Sequence, residues 1–292
     1  MIKLSEGLDL EQITSEIPFP FQTTDLIGKG GQKLVFSGLR TDTEEPLVLK
    51  IIKTTSDSRE RTIREIRAAS IVKHHQIPAV ICSNAEHAPA AENQIVWIVE
   101  QYVPGESLRT ALDRKPDIDL AHVIHFIETM LNILLECEKC NIIHRDVKPE
   151  NIIVDPEGQY WLIDFGISRH LDLESLTHSQ SPFGPCTIGY SAGEQFRNRK
   201  REIDIRADLF SVGVIAAEMI CGYNPYIKDT TDILQVIRKI ESQPLPVLRI
   251  DGDERFFLAR LIKSLGDNRI SRRPRSVTEA KQILELVKQS LV

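Results

Sequence analysis

Hydrophobic and polar positions divide the chain into two unequal stretches of different period. Lys33 to Leu39 and Pro46 to Ile52 are rich in Val, Leu, Ile and Phe, with a turn-like Thr41-Asp42-Thr43-Glu44 between them. That pattern predicts an antiparallel strand pair. Ser58 to Lys73 is charged and apolar at helical spacing, and Ile95 to Val99 reads as one more buried strand. Beyond Val103-Pro104-Gly105 the period becomes helical. His122 to Leu135 places Val123, Ile124, Ile127, Met130, Leu131, Leu134 and Leu135 on one broad stripe, as in a helix buried in an α-rich unit. Leu209 to Ile220 is nearly all apolar or small and predicts a core helix; Ile233 to Ile240 and Val277 to Leu291 predict two more. The predicted class is therefore α+β, a small β-rich half before a larger α-helical half, with the hinge at Pro104-Gly105. A short leader of weak helical character over 1–20 ends at the Pro18-Phe19-Pro20 punctuation. The β-rich unit then runs over 21–102 and the helical unit over 103–292.

Composition narrows the classes of function. The 292 residues allow one large or two closely packed domains, and a 41% hydrophobic content places them among folded chains. A net charge of -6 opposes non-specific binding to nucleic acid or anionic lipid, so no nucleic-acid partner is expected. The basic run Arg197 to Arg201 reads as a solvated loop. Met1 to Leu10 resembles neither signal peptide nor anchor, and no stretch approaches the roughly 20 apolar residues of a membrane span. The expected compartment is cytoplasmic. Five cysteines are an odd, sparse set that suits reduced thiols, and Cys137-x-x-Cys140 has no second pair at metal-ligand spacing.

Candidate chemistry begins at Gly28-Lys29-Gly30-Gly31, where glycines would let main-chain N–H groups approach phosphate oxygens. The following Val35 and Phe36 belong to a strand, which argues against a dinucleotide-binding motif. Lys50 lies inside the apolar run Leu47-Val48-Leu49-Lys50-Ile51-Ile52, where an ammonium must snorkel or find an anion. Glu65, on the following helix, is the expected carboxylate partner, with Glu60 as the alternative.

The decisive run is His144-Arg145-Asp146-Val147-Lys148-Pro149-Glu150-Asn151, followed after a turn by Ile163-Asp164-Phe165-Gly166. In these residues the chain resembles the eukaryotic-type (Hanks-type) serine/threonine protein kinases. The resemblance covers about residues 21 to 290. It implies a bilobal protein kinase-like fold, in which a β-rich N-lobe carries the glycine-rich loop, the strand lysine and a helix, and an α-helical C-lobe carries the catalytic loop and activation segment. It implies ATP with Mg²⁺, or Mn²⁺ in its place, and protein substrates with Ser/Thr acceptors, the enzyme itself among them. Asp146 would be the proton-accepting carboxylate, Lys148 and Lys50 the phosphate-neutralising cations, and Asn151 and Asp164 the metal ligands. Thr187, in Cys186-Thr187-Ile188-Gly189-Tyr190, matches the substrate-docking threonine. The nucleotide would be held by the loop Ile27, Gly28, Lys29, Gly30, Gly31, Gln32, Lys33, Leu34 and Val35 together with Val48, Lys50, Glu65 and Ile153. Main-chain bonds to the base would come from Gln101, Tyr102 and Val103.

The resemblance further implies a pair between Glu194 and Arg273, and bracing of the catalytic loop by Asp208. A phosphate on Ser175, Thr177, Ser179 or Ser181 would pair with Arg145. Four positions depart from the family pattern: Lys33 for the third loop glycine, Val48 beside the strand lysine, Gly193 in Ala192-Gly193-Glu194, and Glu100 at the hinge entrance. Two readings of Glu100 stand open: its carboxylate alters the back of the adenine pocket, or the alignment there is shifted by one residue. The competing functions are a pseudokinase scaffold and a small-molecule kinase of related fold. Retention of the strand lysine, the base and the metal aspartate opposes the first; Lys148, Thr187 and Glu194 oppose the second.

Overall fold

A computed structural model describes residues 10–30, 33–54, 56–85, 94–164, 187–197 and 203–291. Five antiparallel strands form the first unit: β1 (Phe21–Lys29), β2 (Lys33–Arg40), β3 (Glu45–Thr54), β4 (Val80–Ser83) and β5 (Gln94–Gln101), in the order β1-β2-β3-β5-β4. A short helix α1 (Leu10–Ser15) precedes them, and α2 (Ser56–Ile71) lies between β3 and β4.

Strand alternation sorts the side chains onto two faces. Leu34, Phe36, Leu47, Leu49, Ile51, Trp97 and Val99 form a core on one face, closed by Ile13 and Ile17 of the leader. Trp97 Nε1 donates to Glu16 Oε2 at 2.9 Å, which ties the leader down through a polar contact as well. Ile52, Val96 and Ile98 on the opposite face join the main core with Ile66 and Ala69 of α2. The pairings Val35 with Lys50, Lys50 with Ile98 and Val48 with Glu100 place Lys33, Val35, Val48, Lys50 and Glu100 on that second face.

The strand pair and the α2 region follow the expectation closely, with α2 starting two residues earlier than predicted. The expected strand ending at Val99 continues through Glu100 and Gln101, because backbone pairing to β3 does not stop at polar side chains. β1 was not predicted as a strand: it lies at the sheet edge, and Gln22-Thr23-Thr24-Asp25 gives no apolar alternation.

The second unit begins after Gly105, whose φ is +127° and where a Cβ would lie 2.1 Å from the Val154 carbonyl oxygen. Only glycine lets the chain cross there, and the crossing sets β6 (Glu106–Ser107) beside β7 (Ile152–Val154) and β8 (Tyr160–Leu162). Around this small sheet lie α3 (Leu108–Asp113), α4 (Leu120–Lys139), α5 (Gly193–Phe196), α6 (Arg206–Cys221), α7 (Ile233–Ser242), α8 (Phe257–Leu265) and α9 (Val277–Ser290). α6 is buried from Ala207 to Met219, and its Gly213 abuts the Gly266 backbone. By length and composition α4 would suffice to cross a membrane, contrary to the expectation that no stretch comes close. Val123, Ile127, Met130 and Leu134 instead carry its apolar stripe into the core, against α6 and α9.

Candidate active site

Asp146 and Lys148, expected from sequence to be catalytic, lie in the loop before β7. Arg145 has φ +65°, a left-handed conformation costly for a residue with a side chain. Asp208, fully buried at the start of α6, accepts from the N–H groups of His144 at 2.8 Å and Arg145 at 2.7 Å, and Gln195 Nε2 donates to the Arg145 carbonyl at 3.0 Å. These bonds fix the turn that presents Asp146.

Asp146 is 7% exposed, and each of its carboxylate oxygens is engaged. Thr187 Oγ1 donates to Oδ1 at 2.7 Å; Asn151 Nδ2 donates to Oδ2 at 2.9 Å, and the Lys148 ammonium lies 3.0 Å from the same oxygen. Lys148 also reaches Thr187 Oγ1 at 3.3 Å. These contacts orient the carboxylate, as accepting a proton from an attacking hydroxyl requires.

Asn151 closes a 3-10 turn at the start of β7, and Asp164 follows β8 by two residues. The Ile163 N–H donates to the Asn151 carbonyl at 2.9 Å, so the hairpin holds the two residues at one end. Asp164 has φ +60° and faces the N-terminal sheet. Its Oδ1 lies 2.5 Å from the Lys50 ammonium and its Oδ2 2.6 Å from that of Lys33, and Lys50 Nζ also contacts Glu100 Oε2 at 2.6 Å. Burial works against the charged form of Lys50, but the carboxylates of Asp164 and Glu100 outweigh it and hold the ammonium above its ordinary pKa. Burial likewise works against the Asp164 carboxylate, and the ammoniums of Lys33 and Lys50 reverse the effect, leaving it well below the usual range.

The remaining expected nucleotide residues fall in several places. Val35, Val48 and Ile153 are half-buried, and Ile27 is exposed. Gly28 pairs with Val35 and Lys29 with Leu34, so this part of the loop is β-ladder. The Gly30 N–H donates to the Lys33 carbonyl at 2.8 Å. Strand alternation points the Leu34 side chain into the outer core under the leader, on the face opposite Val35 and Lys50. The Gln101 N–H is taken by the Ala79 carbonyl at 2.9 Å, which leaves Tyr102 and Val103 as the expected hinge donors. Gly31, Gln32, the Glu65 side chain and the serine and threonine positions 175, 177, 179 and 181 lie outside the described residues.

Two networks, one buried and one partly exposed, support the loop. Arg273 NH1 and NH2 donate to Glu194 Oε1 and Oε2 at 2.6 and 3.2 Å, which anchors α5. Arg109 of α3 donates to Glu150 at 3.1 Å, Glu218 at 3.0 Å and the Tyr190 hydroxyl, and Tyr190 in turn donates to Glu218 at 2.5 Å. Sequence reasoning missed this second network. Its signal was Glu218, a carboxylate inside the otherwise apolar run of α6. It also left Glu100 without a partner, although Lys50 lies two positions along the facing strand from Val48, with which Glu100 pairs.

A two-unit fold, with a sheet lysine meeting an aspartate after β8 and a second aspartate in a braced loop, is the arrangement of charges that phosphoryl transfer calls for. The family model described as protein kinase domain matches residues 21–286, and the chain belongs to that family. It is similar to the serine/threonine-protein kinase pkn3 of Myxococcus xanthus, 29% identical over 95% of this chain and 51% of that protein. The probable serine/threonine-protein kinase PknB of Bifidobacterium longum is 27% identical over 86% of this chain and 37% of that protein. Serine/threonine-protein kinase PknL of Mycobacterium tuberculosis is 27% identical, over 77% and 55%. The chain thus spans about half the length, or less, of these curated relatives.

Proposed function

We propose that this chain transfers the γ-phosphoryl group of ATP to serine or threonine hydroxyls of proteins, itself included, and does so in the cytoplasm. The observation that carries the reading is Asp146 bound by Thr187, Asn151 and Lys148, together with the Lys50–Asp164 pair that joins the sheet to the helical unit. Asp146 orients the acceptor hydroxyl and takes its proton; Lys148, beside it, faces the negative charge of the transferring group. Lys50 and Lys33 turn from Asp164 to the phosphates, and Val35, Val48 and Ile153 enclose the base.

The donor set fits a divalent metal. Asp164 and the Asn151 amide supply hard oxygens, and the two ammoniums already on Asp164 show that this carboxylate draws positive charge. Asp164 and Asn151 would hold Mg²⁺ or Mn²⁺, which would supply positive charge against the phosphates. A protein substrate is supported by the serine/threonine-protein kinases to which the chain is similar, and by Thr187, which matches the substrate-docking threonine and bonds Asp146. Incubated with Mg²⁺-ATP and a basic protein substrate, the wild type should incorporate phosphate on Ser and Thr. Asp146→Ala should lose on the order of 10²-fold or more. Equal rates would reject Asp146 as the base, and transfer to small molecules alone would reject the protein substrate.

A further inference from the structure

We propose that Glu100 is a positioning residue for phosphoryl transfer: from the sheet itself it holds the Lys50 ammonium in the orientation that meets the nucleotide phosphates. The inference rests on the reading of Lys50 as the phosphate-binding lysine.

Glu100 is 6% exposed and Lys50 5%, and their charged atoms are 2.6 Å apart. A carboxylate removed from water is unfavourable unless paired, and Glu100 pairs with Lys50. Register dictates the contact. Val48 stands directly opposite Glu100, so Lys50 is its diagonal neighbour on the same face, at a spacing two long side chains can bridge. Slipping β5 by one residue would turn Glu100 toward the outer core, where Trp97 and Val99 pack. The position of this carboxylate is therefore as firm as the sheet.

The rest of the cluster gives the contact its function. Glu100, Lys50, Asp164 and Lys33 form a chain of alternating charge with steps of 2.6, 2.5 and 2.6 Å, and its formal charges sum to zero. Two of its members, Lys33 and Glu100, are departures from the family pattern: one adds a cation, the other an anion. Asp164 has a competing duty toward a metal, so its hold on Lys50 is conditional. Glu100 has none, and it keeps Lys50 in place when Asp164 turns away. The carboxylate thus resides on the neighbouring strand, which makes the aim of Lys50 a property of sheet register.

The test compares wild type, Glu100→Gln, Lys50→Met, Lys50→Met/Glu100→Gln and Lys50→Met/Glu100→Met. Each is measured for binding of a fluorescent ATP analogue with Mg²⁺, for peptide phosphorylation and for thermal melting. Glu100→Gln should weaken nucleotide binding about 10-fold, with KM for ATP rising more than kcat falls. In the Lys50→Met background the same change should weaken binding no further, because Glu100 acts through Lys50. Lys50→Met/Glu100→Met should melt above Lys50→Met, having removed a carboxylate left without its cation. Wild-type binding by Glu100→Gln, beside a weakened Lys50→Met, would overturn the inference and leave Lys50 in its role. An equal loss in both backgrounds, or identical melting of the last pair, would overturn it too. Wild-type binding by Lys50→Met would instead reject the reading of Lys50 itself.

Discussion

Single side chains at this site act by fixing backbone or by holding one another, and each can be tested alone. Thr187 Oγ1 donates to an ionised carboxylate at 2.7 Å, a bond worth about 1.5–3 kcal/mol. Thr187→Val should therefore lower kcat by about 10- to 100-fold, while Thr187→Ser, which keeps the hydroxyl, should stay near wild type in the same peptide assay. Arg273 and Glu194 are a buried bidentate pair, so removing one partner leaves the other charge stranded. Glu194→Ala should lower unfolding free energy by about 3–5 kcal/mol, read from urea denaturation. The resemblance made this pair readable from sequence, because both residues occupy motif positions. The Glu100–Lys50 pair was not readable, because no motif assigns a carboxylate at the hinge entrance. That contact needed the register of β3 against β5, which puts Glu100 on the same face of the sheet as Lys50.

Elements were legible in proportion to the length and regularity of their apolar pattern. α4, α6, α7 and α9 each bury a face or more and were anticipated within a few residues. The short strands β6 to β8 span two or three residues each, too few to show a period. α8 was missed, although Leu258, Leu261, Ile262 and Leu265 lie on one buried stripe. Its contact with α6 supports a prediction at this scale. A methyl group on Gly213 would meet the Gly266 backbone nitrogen at 2.4 Å, an obstacle that cannot rotate away. Gly213→Ala should lower the melting temperature, because overpacking of about 1–3 kcal/mol or more exceeds the gain of about 1 kcal/mol in helix propensity. At the opposite end, deleting residues 1–19 would uncover the outer core that Ile13 and Ile17 close. Two buried isoleucines at about 1.5–3 kcal/mol each predict a destabilised sheet, measurable by hydrogen exchange in β2 and β3. The leader thus has a structural role that its weak helical character did not reveal.

Across the whole molecule, the ion pairs of Asp164 with Lys33 and Lys50 join the sheet to the helical unit. Because the folded-state pKa of Asp164 lies below the unfolded value of about 3.9, the unfolded chain binds more protons between the two, and stability there rises with pH. The contribution is complete above about pH 5 and is lost as pH falls through the folded-state value. Urea midpoints of wild type should fall on acidification below about pH 4, and Asp164→Asn should show a shallower fall in that window.

Sequence alone determined the two-part organisation and the residue types that phosphoryl transfer needs, because periodicity and motif spacing are local properties of a chain. Tertiary structure decided which charges meet. Lys33, Lys50, Glu100 and Asp164 are spread over more than 130 positions, and only strand register and the approach of the β7–β8 hairpin bring them within hydrogen-bonding distance. Ion pairing depends on separation in space and on shelter from water, neither of which spacing along a sequence encodes.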